Sequence, residues 1–111
     1  MEITYEDFRK VKIHVGTVKA VGKNKKARKP ALALEIDFGI GIGMKKTSAK
    51  ITDYYNMNNL IEKQVIAVCN FPTKNIAGSE SEVLVLGAME KDGKVVLIHP
   101  SKIVANGLEI I

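Results

Sequence analysis

The sequence predicts an all-β domain, a small closed barrel of five short antiparallel strands. Short segments in which apolar and polar residues alternate recur along the chain, as expected of half-buried strands. The first of these segments changes phase at a glycine, and closed barrels need such bent strands. One non-alternating segment, between the third and fourth strands, is the place for a small helix. The 111 residues are enough for one domain spanning residues 1–111.

A short helix is expected before the first strand. Thr4 can cap its N terminus, and Asp7 lies three residues later in a weaker form of the capping box. This helix should end near Lys10. The first strand covers residues 11–21, and its apolar residues switch parity after Gly16. That switch predicts a bulge or sharp bend at the glycine.

The second and third strands are predicted to form a hairpin. Residues 32–38 alternate cleanly, and residues 39–43, Gly-Ile-Gly-Ile-Gly, form the turn. The glycine spacing differs from that of a phosphate-binding Gly-x-Gly-x-x-Gly loop, and a strand follows it. The third strand covers residues 44–52. One of its faces carries a serine between two lysines, which fits either a solvated face or an anion-facing patch: Lys46, Ser48 and Lys50.

Residues 53–61 are polar and rich in asparagine, which predicts a short helix or a pair of turns capped by Asp53. The segments 64–70 and 83–86 are apolar on both parities, so both faces of these strands should be covered. In a single domain of this size, the second cover would be a partner subunit. We therefore expect a homodimer.

The C-terminal part continues the pattern of short strands. Asp92-Gly93 predicts a hairpin that leads into a strand at 95–99, and the turn Asn106-Gly107 precedes a terminal strand at 109–111. The chain thus has five to seven short strands, a bent first strand and one small helix between strands three and four. This order suits the five-stranded Greek-key barrel called the OB-fold.

The charge distribution favours an anionic partner. The net charge is +5, and the segment 19–29 contains basic residues but no acidic ones. This segment fits either a solvated loop or an edge that follows phosphates, and it includes one of the loops that flank an OB-fold's ligand face. Few aromatic residues are available to stack on bases, so recognition of phosphates and shape is expected. The candidates for stacking are Tyr54, Tyr55 and Phe71.

The sequence predicts neither an active site nor a metal or cofactor site. His14 and His99 lie far apart, and two histidines with one cysteine do not form a zinc signature. Cys69 lies in an apolar run and is expected to be a core residue. We therefore expect a non-enzymatic binding protein. The acidic N terminus and the absence of an apolar run of about 20 residues predict a cytoplasmic protein without membrane insertion.

Several segments together resemble the CsaA family. They are Asp-Phe-Gly at 37–39, Thr-Ser-Ala-x-Ile-Thr at 47–52, Leu-Ile-x-Lys-Gln-Val-Ile-Ala-Val at 60–68, and the block 70–87, which runs from Asn-Phe-Pro through Ile-Ala-Gly to Ser-Glu-Val-Leu-Val-Leu-Gly. The resemblance covers essentially the whole chain, and the block 70–87 is its most specific part. CsaA proteins are similar to the wider family of tRNA-binding OB domains, which includes the C-terminal domain of some methionyl-tRNA synthetases.

The resemblance implies a homodimeric OB-fold with terminal extensions for dimerisation. It also implies tRNA binding with little sequence specificity. The alternative function that it implies is a chaperone that binds preproteins or unfolded peptides in protein export, with the secretion machinery as a further partner.

The resemblance also assigns candidate site residues. The positions that match the family's tRNA site are Ser48, Lys74 and Ser81, with Asn70 and Gly78 shaping the loop. The basic residues complete the predicted RNA- or peptide-binding set: Lys25, Lys26, Arg28, Lys46 and Lys50. Where the wider family usually has a methionine, this chain has Glu82-Val-Leu-Val, and a carboxylate there is expected to oppose an anion.

Overall fold

The computed structural model describes residues 1–24, 26 and 28–111. Within these residues the chain forms nine short strands and three short helices. In chain order they are α1 (Tyr5–Arg9), β1 (Ile13–Lys23), β2 (Leu32–Asp37), α2 (Gly39–Ile42), β3 (Met44–Ala49), α3 (Met57–Leu60), β4 (Gln64–Val68), β5 (Lys74–Ile76), β6 (Ser79–Ser81), β7 (Leu84–Val85), β8 (Gly87–Met89) and β9 (Val95–Leu97).

Five of the strands form a nearly closed antiparallel barrel. Their order is β3-β2-β1-β4-β7, and every neighbouring pair is antiparallel. The backbone N–H of Glu82 donates to the carbonyl oxygen of Lys46 at 2.8 Å, so the segment after β6 closes the barrel against β3. The predicted OB-fold is confirmed. The remaining strands form two hairpins, β5–β6 and β8–β9, outside the barrel sheet.

The first strand bends at a different residue from the one predicted. Its register with β2 shifts between Val18 and Ala20, so the extra residue is Lys19 and the predicted bulge at Gly16 is wrong. The glycine has another role. A Cβ at position 16 would lie 2.6 Å from Cγ2 of Ile36, so the absence of a side chain lets β1 pack closely on β2. The parity change in the sequence correctly signalled a bend but placed it three residues early.

The barrel core consists mainly of aliphatic side chains with one phenylalanine. The alternation of residues 32–38 is confirmed, since Leu32, Leu34, Ile36 and Phe38 are buried. The hairpin between β2 and β3 is also confirmed, with the single helical turn α2 as its connection. The third strand is shorter than predicted and ends at Ala49.

The two predicted helix caps have different outcomes. Thr4 caps α1 as expected, because its Oγ1 accepts from the N–H of Asp7 at 3.1 Å and the Asp7 carboxylate accepts from the N–H of Thr4 at 3.0 Å. The helix between strands three and four exists, but Asp53 does not cap it. The side chain of Asn56 accepts from the N–H groups of Asn58 and Asn59 and completes a capping box.

The chain itself covers both faces of β4. Val65, Ile66, Ala67 and Val68 are all at most 8% exposed in a single chain. The prediction that a partner subunit covers this strand is therefore wrong, and a dimer would use other surfaces. Leu84, predicted to be covered, is 50% exposed.

The C-terminal segment lies beside the first half of β1. The N–H groups of Gly107 and Ile110 donate to the carbonyls of Val15 and Ile13, and Val15 N–H donates to Leu108 O. The terminal strand predicted at 109–111 is reduced to an isolated bridge between His14 and Glu109. The hairpin at Asp92-Gly93 is confirmed by the pairing of β8 with β9. No helix in the described part of the chain is long and apolar enough to cross a membrane.

Candidate nucleic-acid interface

A groove of about 740 Å³ runs between the end of β3 and the segment from β6 to β9. Three predicted site residues, Ser48, Lys50 and Ser81, line it together. Lys29 lies at the same groove, although it was not in the predicted set. The remaining lining is mostly apolar and includes Ile51, Ile76, Val83, Val85 and Val95.

The two serines of the groove have different hydrogen-bonding partners. Ser81 Oγ lies 2.9 Å from Thr47 Oγ1, and the Thr47 hydroxyl donates to the carbonyl of Val83 at 2.7 Å. A hydroxyl has one proton, and Thr47 donates its proton to the carbonyl of Val83. The hydrogen bond between Ser81 and Thr47 must therefore be donated by Ser81. Ser48 instead accepts a hydrogen bond from Nδ2 of Asn24 at 3.2 Å. Ser48 therefore retains its own proton for a ligand, whereas the proton of Ser81 is used within the protein.

The loop after β4 contains a hairpin that was not predicted. Strands β5 and β6 pair so that Lys74 lies opposite Ser81. Ala77 and Gly78 have φ values of 51° and 82°, so both central residues of the turn adopt the left-handed region, as in a type I′ turn. Lys74 is exposed on this hairpin.

Lys26, in the basic loop between β1 and β2, lies against the same hairpin. If Gly78 carried a Cβ, Cδ and Nζ of Lys26 would lie 3.4 and 3.8 Å from it, so the Lys26 side chain passes over the β5–β6 turn. Arg28 is exposed. The predicted site residue Lys25 lies outside the described residues. The fold thus brings Lys26 and Lys74 to one hairpin at the groove.

Glu82 is part of the closure of the barrel. Its carboxylate accepts from the backbone N–H of Lys46 at 3.0 Å, and its second oxygen lies 3.8 Å from Nζ of Lys45. These contacts partly compensate its charge, which weakens the expected opposition to an anion. The exposed Lys46 lines a separate cavity of about 360 Å³, together with Ser79, so it lies apart from the lining of the larger groove.

Asn70, which was predicted to shape the loop after β4, forms its side-chain hydrogen bonds at the start of that loop. Its Oδ1 accepts from the N–H of Lys12 at 2.9 Å, and its Nδ2 donates to the carbonyl of Lys10 at 2.7 Å. The side chain therefore fastens the end of β4 to the connection between α1 and β1, and it does not line the groove around Ser48.

One of the three aromatic candidates for stacking is unavailable to a base. Tyr55 packs against the core, and its hydroxyl accepts from the N–H of Leu97 at 2.8 Å. Tyr54 is 45% exposed, and the hydrogen bond from its hydroxyl to Glu90 raises the pKa of Tyr54 to about 12. Phe71 is 54% exposed. Only Tyr54 and Phe71 of the three candidates remain accessible to a base.

The surroundings of His14 and Cys69 give these two residues structural roles and no sign of a catalytic one. His14 Nδ1 lies 2.9 Å from the carbonyl oxygen of Gly107 and donates to it. Burial raises the pKa of the Cys69 thiol to about 11, which disfavours the reactive thiolate. Within residues 1–24, 26 and 28–111, no group of three or more His, Cys, Asp and Glu side chains is arranged to hold a metal ion.

Comparison with known proteins identifies the family. The family model of the tRNA binding domain matches residues 13–109. The crystal structure of the chaperone CsaA from Bacillus anthracis is 47% identical and has a TM-score of 0.94, with all of both chains covered. The CsaA chaperone from Picrophilus torridus is 50% identical with a TM-score of 0.92, covering 99% of this chain and 100% of that one. This chain belongs to the CsaA group of the tRNA-binding domain family.

More distant relatives include a MetRS-related protein and methionine–tRNA ligases. A MetRS-related protein from Pyrococcus horikoshii is 31% identical over the full length of both chains, with a TM-score of 0.87. The methionine–tRNA ligase of Porphyromonas gingivalis is 38% identical over 109 residues, which are 98% of this chain and 16% of the ligase. The ligase of Listeria monocytogenes matches at 37% with the same coverage. This chain thus spans 16% of the length of those enzymes.

Proposed function

We propose that this protein is a non-enzymatic tRNA-binding protein that recognises phosphates and RNA shape with little sequence specificity. The observation that carries the proposal is the groove at the end of β3, where Ser48 and Ser81 meet Lys50 and where Lys26 and Lys74 share the adjoining hairpin. The Ser48 hydroxyl and the lysine ammonium groups can donate to phosphate oxygens, and such contacts position a nucleic acid without reading its sequence.

The charges near the groove are available for an anion. Several lysines elsewhere form ion pairs, among them Lys12 with Glu109 and Lys19 with Glu62. In the part of the chain that the structure describes, no carboxylate oxygen lies within 4.0 Å of the charged side-chain nitrogens of the basic residues Lys26, Arg28, Lys29, Lys46, Lys50 and Lys74. Uncompensated cations release counterions from RNA when they bind phosphates, and this release drives association.

Salt dependence tests this function. Labelled tRNA is titrated with the protein and followed by fluorescence anisotropy at ~50 and ~200 mM salt. If about four of these basic residues contact phosphates, the slope of log K against log salt is about −3 to −3.6, and affinity should fall on the order of a hundredfold. Unmeasurable binding at the lower salt, or equal affinity at both salts, would reject the proposal.

We further propose that the protein is a homodimer that uses its terminal elements. Exposed apolar side chains support this, because such patches mark interaction surfaces. Ile103 and Ile111 are 88% and 97% exposed, and Ile3 and Tyr5 are 64% and 68% exposed. Light scattering after size exclusion tests the proposal. A mass that stays at that of one 12.2 kDa chain over the accessible concentration range would contradict it.

A second candidate function is a cytoplasmic chaperone that binds preproteins or unfolded peptides in protein export and cooperates with the secretion machinery. The observation that favours it is the apolar wall of the groove, which includes Val83, Val85 and Met89. The same groove is also lined by Lys29 and Lys50. Two measurements test it: competition between tRNA and an unfolded preprotein for the labelled protein, and the aggregation of that preprotein (the client) in the presence of the protein. No protection of the client against aggregation would reject this function.

A further inference from the structure

We infer that Asn24 is a positioning residue of the proposed tRNA site, where it orients the Ser48 hydroxyl and holds Lys26 over the β5–β6 hairpin. This inference rests on the proposed function. Asn24 follows β1 directly and stands at the start of the basic loop, and it carries no charge itself.

The side chain of Asn24 connects three parts of the fold. Its Nδ2 donates to Ser48 Oγ on β3 and to the carbonyl oxygen of Ile76 on β5, both at 3.2 Å. Its Oδ1 accepts from the backbone N–H of Lys26 at 3.3 Å. The carbonyl of Ile76 can only accept and the N–H of Lys26 can only donate. Ile76 and Lys26 therefore fix the orientation of the Asn24 amide, with Nδ2 toward Ile76 and Oδ1 toward Lys26.

The first consequence concerns Ser48. The amide of Asn24 occupies a lone pair of Ser48 Oγ, so the hydroxyl proton is directed elsewhere and is available to an anion. Ser81 has the opposite arrangement, because its proton is donated to Thr47. Asn24 therefore makes Ser48 the better hydroxyl donor of the groove.

The second consequence concerns Lys26. Its backbone is tied to Asn24, and its side chain lies over Gly78, where Nζ would be 3.8 Å from a Cβ. The N–H of Asn24 also donates to the carbonyl of Ala31 at 3.0 Å, which closes the base of the basic loop. A lysine held in this way loses less conformational freedom when it contacts a phosphate, since part of its entropy is already lost.

A double-mutant cycle on tRNA binding tests the inference. Wild type, Asn24→Ala, Lys26→Ala and the double variant are titrated with labelled tRNA between ~50 and ~200 mM salt. Lys26→Ala should reduce the salt slope by about one, as expected for one phosphate contact. Asn24→Ala removes no charge, yet it should also reduce the slope by about one and weaken binding about tenfold at the lower salt. The salt slope of the double variant should be no smaller in magnitude than that of Asn24→Ala alone.

The matched control is Asn58→Ala, which removes the same side chain from the exposed surface of α3 and should leave both slope and affinity unchanged. If Asn24→Ala does not fold, Asn24→Gln replaces it. This variant keeps the amide but displaces it by one methylene, and it should lower the slope in the same way. A wild-type slope in a folded Asn24 variant would overturn the inference, and so would an unchanged slope in Lys26→Ala. Absence of any wild-type binding would instead reject the proposed function together with this role.

Discussion

Thr47→Val tests the link between the barrel and the groove. Thr47 is 3% exposed, and its hydroxyl donates to the carbonyl of Val83 at 2.7 Å and accepts from Ser81. Valine keeps the shape of the side chain but removes both hydrogen bonds. A buried carbonyl left without its donor costs about 1–3 kcal/mol. Ser81 Oγ lies 3.4 Å from the same carbonyl and can replace part of the loss, so we expect about 1–2 kcal/mol.

Thermal unfolding followed by circular dichroism measures this effect. For a domain of this size, the expected loss lowers the melting temperature by about 4–8 °C. Thr52→Val is the matched control, because Thr52 is exposed and its replacement should leave the melting temperature within ~1 °C. A Thr47→Val protein as stable as the control would refute the reasoning that the hydroxyl serves Val83.

Three further predictions concern single side chains. Gly16→Ala should destabilise the fold by about 1–3 kcal/mol through overpacking, whereas Gly22→Ala, whose Cβ would meet nothing within 4 Å, should not; denaturant unfolding compares them. Asn56→Ala removes the cap of α3 and should cost about 1 kcal/mol in the same assay. Glu90→Gln should lower the pKa of Tyr54 from about 12 toward 10.0 in a spectrophotometric titration. Because the folded pKa is raised, the stability contributed by the protonated tyrosine is present below pH 10.0 and is lost as pH rises toward 12.

Local patterns in the sequence predicted most of the fold. The alternation at 32–38 depends on the period of a strand alone, and Thr4 and Asp7 form a cap within three residues of each other. The hairpin β5–β6 escaped prediction because Ala77-Gly78 is not a typical type I′ pair, although both residues adopt positive φ. Packing between distant segments also cannot be read from a local pattern, which is why the cover of β4 was assigned to a partner.

The candidate site was predictable only where charge or family resemblance marked a residue. Ser48 and Ser81 do line one groove, but their different roles depend on Asn24 and Thr47, two neutral residues from other elements. Asn70 matched the family motif, yet its side chain bonds to the connection before β1. A motif identifies which residue is present, whereas its partners are determined by the three-dimensional fold.

The most direct test of the central claim compares two lysine variants in tRNA binding. Lys74 lies on the hairpin beside the groove, whereas Lys12 lies before β1 and pairs with Glu109 at 3.8 Å. Lys74→Ala should reduce the salt slope of tRNA affinity by about one, and Lys12→Ala should leave it at the wild-type value. Equal slopes for both variants and the wild type would contradict a phosphate-binding groove at this hairpin.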